Sequence, residues 1–223
     1  MHCFDPPSAI SVSSRVERDV WGDNDSVLID RELSARECFR ADRARYGREA
    51  WLYERSLWAV AVYRLGHWLQ ARHGAWLETQ PTPVRYIVKL PLLVALRVCE
   101  AFTGVELPPE AVVGPGLRIW HGGNIVIHPK SRIGADCLLR HGVTIGNVDP
   151  EGPVPVIGDR VELGAYAQVF GGVTVGDDAR IGALSVVLQD IPAGATAVGA
   201  PARILSRDDG RKRSASSPRT QLR

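Results

Sequence analysis

Aliphatic residues recur at every sixth position through the second half of this chain, and that regularity excludes most folds. One run is Val113, Ile119 and Ile125, followed after a two-residue slip by Ile127, Ile133, Leu139 and Ile145; the next is Ile157, Leu163, Val169, Val175, Ile181 and Val187. Glycine follows the aliphatic residue at Gly114, Gly134, Gly146, Gly158, Gly164, Gly176 and Gly182. A fixed period of this kind signals a repeat architecture. Six is not a harmonic of the 3.6-residue helical turn, and each glycine would cost a helix interior roughly 1 kcal/mol. Three short strands per triangular coil satisfy the pattern instead: every aliphatic residue points into the prism and stacks on its equivalent one coil away. Glycine and other small residues take the corners, where the chain turns sharply. The expected fold is mainly β, a parallel β-helix over residues 105–205.

The first half has a different rhythm. From Arg31 to Gly104 the pattern is helical: Trp51, Leu52, Leu57, Trp58, Val60, Ala61, Tyr63, Leu65 and Trp68 recur at three- and four-residue steps. Gly74 and the stretch Gln80-Pro81-Thr82-Pro83 punctuate it before a second helix over about residues 84–103. Residues 1–30 carry Pro, Ser, Asp and Gly with little periodicity and are expected to be a disordered lead-in; residues 206–223 are expected to be a disordered basic tail.

Composition narrows the function classes. The formal net charge is only +2, and much of the excess lies in the tail, so a nucleic-acid role has little support. Cys3, Cys38, Cys99 and Cys137 show no CxxC spacing, and the N-terminus lacks a signal-peptide pattern, which together point to reduced thiols in a cytoplasmic protein. The most apolar window, Tyr86 to Phe102, is interrupted by Lys89, Pro91, Arg97 and Glu100 and falls short of the roughly 18 apolar residues of a spanning helix. It reads as a buried or partner-facing helix, with docking on a membrane surface as the alternative.

Residues 40–205 resemble the left-handed parallel β-helix acyltransferases and, among them, the serine O-acetyltransferases and their relatives in polysaccharide clusters. Three stretches of the coil carry the match: Ile119-Trp120-His121-Gly122-Gly123-Asn124-Ile125-Val126-Ile127, with the histidine and the slip; Ile181-Gly182-Ala183-Leu184-Ser185-Val186-Val187-Leu188, close to the family's last full coil; and Gly199-Ala200-Pro201-Ala202-Arg203-Ile204, its closing motif. The helical stretch Tyr63-Arg64-Leu65-Gly66-His67-Trp68 is similar to the helix that precedes the coil in that family. The resemblance implies a left-handed coil, an acetyl-CoA-dependent O-acetyltransferase without a metal, and a homotrimer that the helical part joins into a hexamer in some members.

Moving an acetyl group from a thioester to a hydroxyl needs a base, because an alcohol is a poor nucleophile at neutral pH. By resemblance His121 is that base, and Glu106 stands where the family has an Asp that orients it. The family's Asp directly before the histidine is Trp120 here, and its second histidine is missing from the shorter loop Asn147–Val156, where Val154 takes about its place. Asp42 lies within one position of a further acidic residue that grips serine. The amino-acid grip is thus partly retained, whereas a tryptophan beside the base suits a sugar. The acceptor is therefore a small-molecule or glycan hydroxyl, L-serine in the parent family. His141, twenty residues beyond His121 and hence one coil on, is a further candidate for acceptor binding, with its ring stacked on that of His121; capping a corner is the alternative. The resemblance assigns the pantetheine and phosphates of acetyl-CoA to Gly164, Ala165, Gly182, Ala183, Arg180 and Arg203, each of which also serves as a corner or surface charge. His128 is expected to face solvent and His67 to be structural.

Two rival functions use the same coil. A γ-carbonic-anhydrase-like zinc site needs three converging histidines including a close pair, which the positions 121, 128 and 141 do not supply. A non-catalytic scaffold leaves the coincidence of His121, Glu106 and Pro201-Ala202-Arg203 on family positions without a reason.

Overall fold

The structure, a computed structural model, describes residues 34–47 and 49–205. The expected lead-in and basic tail lie outside the described residues. Among the described residues four helices come first: α1 (Ala35–Ala44), α2 (Ala50–Tyr53), α3 (Arg55–Glu78) and α4 (Thr82–Thr103). Glu37 in the first turn of α1 and Arg43 in its last complement the helix dipole. Pro81, with Pro83 in the first turn, opens α4, and Gly104 closes it in the left-handed conformation with its N–H on Glu100 O. The break expected at Gly74 does not occur. Gly74 lies inside α3, whose packing on α4 outweighs the loss of about 1 kcal/mol that a glycine brings.

Fifteen short strands follow, β1 (Val105–Glu106) to β15 (Arg203–Ile204). They form three parallel sheets on the faces of a left-handed prism: β1-β4-β7-β10-β13, β2-β5-β8-β11, and β3-β6-β9-β12-β14, to which β15 adds an antiparallel edge. Each coil contributes one inward residue per face. Ile119, Leu139, Leu163, Ile181 and Ala197 stack along one face, and Val113, Ile133, Ile157, Val175 and Ile191 along another, all buried. At about 1.5–3 kcal/mol for each large aliphatic side chain, these columns dominate the stability of the coil.

The slip sits elsewhere than the aliphatic spacing suggests. Val126 pairs with Thr144 and Ile127 with Ile145, so Ile125 and Ile127 are both regular inward positions. The two extra residues belong to the preceding corner. There Trp120 pairs with Arg140, yet Gly142 N–H donates to Gly123 O, which leaves His121 and Gly122 as a bulge between the two registers.

The helices close the open first coil, whose backbone groups would otherwise be an unpaired sheet edge. Side chains of the helical part supply partners one by one. Tyr63 Oη donates to Ala111 O at 2.8 Å, Arg64 donates to Val113 O and Gly114 O at 2.6 Å, and Ser56 Oγ donates to Ile119 O at 3.0 Å. In the other direction Leu117 N–H donates to Asp42 at 2.8 Å and Ile119 N–H to Tyr46 Oη at 2.9 Å. Gly66 brings the coil close, since a Cβ there would stand 2.9 Å from Pro109 Cγ, and His67 Nδ1 bonds the same proline's carbonyl at 2.7 Å. The stretch Tyr63 to His67 is therefore a cap for the coil. No described helix is long and apolar enough to cross a membrane.

Candidate active site

His121 owes its position to the bulge. The residue has φ +56°, the left-handed conformation that recurs at the corners of the later coils, as at Asp136, Arg160, Tyr166, Asp178 and Leu184. Gly122, next along, packs close to the helical part: a Cβ there would stand 3.2 Å from Ser56 Cβ and 3.5 Å from Val105. The imidazole is thereby left exposed at the corner, stacked on Trp120 with ring centroids 5.7 Å apart and planes at 27°. Glu106 ends β1, pairs with Val126 of the next coil and is exposed beside a 400 Å³ crevice that Arg97, Asn124 and Val126 also line and His121 does not. Among the described residues no hydrogen bond joins Glu106 to His121.

Trp120 is 37% exposed and points outward next to the buried Ile119. Arg118 and Arg140 both lie against its ring, with Cζ at 5.2 and 4.8 Å from the centroid. Neither arginine stood out in the sequence. The signal was present, because Arg118 and Trp120 share the outward side of one strand and the twenty-residue coil step that leads from His121 to His141 leads equally from Trp120 to Arg140. His141 itself does not stack on His121. The bulge shifts the corner register, so His141 lies level with Gly123 and packs edge-on against Tyr166 at 5.2 Å, with its Nδ1 buried and without a hydrogen-bond partner. Tyr166 occupies the space over Gly142, where a Cβ would collide with the phenol ring.

Asp42 requires a correction. Its carboxylate is fully buried and accepts from Arg64 Nε at 2.8 Å, Arg64 Nη2 at 3.0 Å and Leu117 N–H, which leaves no face for an acceptor. Burial alone would lower the pKa of Arg64; the hydrogen bonds and charge of Asp42 reverse this and raise it. The pair locks α1 and α3 to the first coil.

The residues assigned to the acyl donor spread along the same outer face. Gly164 and Gly182 continue, by register, the column that begins with Trp120 and Arg140. A Cβ on Gly164 would stand 2.5 Å from Ala183 N and one on Gly182 2.7 Å from Val198, so close coil packing alone already calls for glycine at both. Ala165 and Ala183 form the adjoining corners, where Leu184 N–H donates to Ala165 O. Arg180 is exposed and lies 3.8 Å from Glu162, and Arg203 is exposed on β15. No group of three His, Cys, Asp or Glu able to hold a metal ion occurs among the described residues.

Residues 155–189 match the family model described as bacterial transferase hexapeptide (six repeats). A serine acetyltransferase of Helicobacter pylori is 36% identical over 184 residues, covering 81% of this chain and 99% of that protein. Two solved structures share the fold. One is a serine acetyltransferase in complex with CoA, with TM-score 0.64 and 30% identity over 77% of this chain and 70% of the other. The second is the Neisseria gonorrhoeae serine acetyltransferase in complex with serine, with TM-score 0.65 and 27% identity over 81% and 72%.

Proposed function

Because this chain belongs to the serine acetyltransferase family of hexapeptide-repeat transferases, we propose that His121, supported by Glu106, performs its acetyl transfer. The protein is an acetyl-CoA-dependent O-acetyltransferase, and L-serine is the acceptor that its family relationship favours. The observation that carries the assignment of the base is the bulge: the coil departs from its period at the corner from which this one imidazole stands out. There His121 takes the proton of the acceptor hydroxyl as its oxygen attacks the thioester carbonyl. The tetrahedral adduct then expels the CoA thiolate, which recovers the proton from the imidazolium, leaving an O-acetyl ester and free CoA. Glu106 is assigned the part of the carboxylate that favours the cationic imidazolium. The trough of Gly164 and Gly182 with Arg180 and Arg203 is assigned to the donor, where small residues admit pantetheine and arginines meet phosphate.

A second acceptor class has its own support. Trp120 offers a partly exposed indole face where the family has an acid that helps hold the amino acid, and Asp42 is enclosed; both favour a sugar hydroxyl. We further assign the enzyme to a homotrimer, since a single coil leaves its outer faces open, with α4 as the surface that would pair trimers into a hexamer. A cytoplasmic location fits a donor drawn from the intracellular acetyl-CoA pool.

Thiol release from acetyl-CoA in the presence of L-serine tests the assignment. His121→Ala should lose about 10²- to 10⁴-fold in kcat while acetyl-CoA still binds. Near-native turnover in that variant would remove His121 from the mechanism and leave His141 as the next candidate.

A further inference from the structure

Strand β3, which runs into the bulge that carries His121, ends its sheet: β6 pairs with it on one side, and among the described residues no coil lies on the other. The backbone groups of Ile119 that point away from β6 are met by two buried side chains of the helical part, Tyr46 and Ser56. Ile119 N–H donates to Tyr46 Oη at 2.9 Å, and Ile119 O accepts from Ser56 Oγ at 3.0 Å. The two hydroxyls also hydrogen-bond each other. Because an amide N–H only donates and a carbonyl only accepts, the direction round this ring is fixed: Ile119 N–H to Tyr46, Tyr46 O–H to Ser56, Ser56 O–H to Ile119 O. Bonds aligned head to tail strengthen one another, and the ring gives Ile119 the acceptor and donor that a neighbouring strand would. Ser56 makes a second contact on the far side of the base. A Cβ on Gly122 would stand 3.2 Å from Ser56 Cβ, so the bulge rests on this serine. One buried side chain thus holds the chain immediately before and immediately after Trp120-His121. The bonds of Tyr63 to Ala111 and of Arg64 to Val113 and Gly114 lie at β2 instead and serve the coil alone.

We propose that Ser56, together with Tyr46, is a positioning residue for the acetyl transfer: the three-bond ring sets the strand that leads into His121, and the serine Cβ is the stop against which the bulge rests. The inference rests on the reading of His121 as the base and adds the part of the molecule that decides where the base stands. The helical region then does more than close the first coil. Misplacing a reacting group by about 1 Å costs on the order of 10²-fold in rate, so loss of either hold reads out in turnover while donor binding stays intact.

Turnover of L-serine and acetyl-CoA by the full chain, measured well below the melting temperature of each variant, separates positioning from support of the fold. Tyr46→Phe and Ser56→Ala each break the ring and should lower kcat about ten-fold or more, with the KM for acetyl-CoA within about two-fold of wild type. Gly122→Ala should do the same by pushing the bulge off Ser56. Added to Ser56→Gly, however, Gly122→Ala should cost nothing further, because the Cβ it collides with is gone. Variants that melt earlier yet keep the wild-type kcat when fully folded overturn the proposal. So does a Gly122→Ala loss that simply multiplies with that of Ser56→Gly. Ser56→Ala and Gly122→Ala decide the matter where Tyr46→Phe fails to fold. His121→Ala, assayed beside them, keeps the two readings apart. If it is slow and the ring variants are not, the base stands and the positioning role falls; if it is near-native, both fall. Should the wild type leave L-serine untouched, NMR of the imidazole protons decides instead. Trp120, stacked on His121, imposes a ring-current shift on them. That shift should change in Ser56→Ala and Gly122→Ala, and an unchanged shift in both overturns the positioning.

Discussion

Glu106 ends β1 and His121 lies in the bulge after β3, with no direct bond between them, so their contributions should be unequal. Glu106→Gln should slow kcat less than His121→Ala does, and the double variant should be about as slow as His121→Ala alone, because both changes act on one unit. Additive losses in steady-state kinetics would show that Glu106 works independently. Two buried groups govern the alkaline limit. Burial pushes the Cys137 thiol from 9.0 up to about 12 and the Tyr46 phenol from 10.0 up to about 12. The unfolded chain loses these protons from about pH 9 while the folded one keeps them, so unfolding releases protons and stability falls as pH rises from 9 towards 12, by about 1.4 kcal/mol per group for each full pH unit above its unfolded value. Melting temperatures across that range should decline, and Cys137→Ala should soften the early part; a flat profile would contradict the burial of both groups. His121 was legible in the sequence because its motif is short and contiguous. Arg118 and Arg140 were legible only through the coil step that pairs Trp120 with Arg140. Asp42 misled for another reason: a lone carboxylate on a helix does not reveal in sequence that an arginine twenty-two residues on encloses it.

The six-residue period specified the strands almost residue by residue, because the inward columns leave no other way to bury so many aliphatic side chains. The helices were less legible. A wide apolar surface predicts that a helix is buried somewhere, whereas the detailed fit of α3 to the coil comes from polar side chains that satisfy a sheet edge. Asp42 and Arg64 are the centre of that fit, which separates a structural role from one in acceptor binding. Asp42→Ala strands a buried guanidinium and should cost about 3–5 kcal/mol. For a chain of this size that lowers Tm by roughly 10 °C. The KM for acceptor of the folded fraction should stay close to wild type. A large rise in KM at unchanged Tm would return Asp42 to the active site.

Across the whole molecule, the most conspicuous unmatched surface is the outer face of α4. Tyr86, Leu90, Val94, Val98 and Phe102 follow one another at four-residue steps and are each about half exposed or more, with Ile87 beside them at 73%. Residues so spaced form a continuous ridge, and two such ridges interlock when helices cross at about 50°. Such a face left in water exceeds what scattered surface hydrophobics explain. Its charges give little pull towards an anionic membrane, since Arg85 and Lys89 share Glu78 and Arg97 pairs with Glu100, which leaves one net positive charge. A second copy of α4 across a two-fold axis matches the ridge and a rim whose charges are largely paired, and it leaves the coil free for a trimer. Sedimentation of the full chain should therefore give six times 24.3 kDa. The double substitution Ile87→Asp and Leu90→Asp should reduce it to three, because placing carboxylates in the middle of the ridge buries unpaired charge in the joint while leaving the coil untouched. Acetyl transfer should survive in that trimer. A stable, active monomer of the wild type would end the trimer assignment, and a substituted protein that remains six-fold would move the joint away from α4.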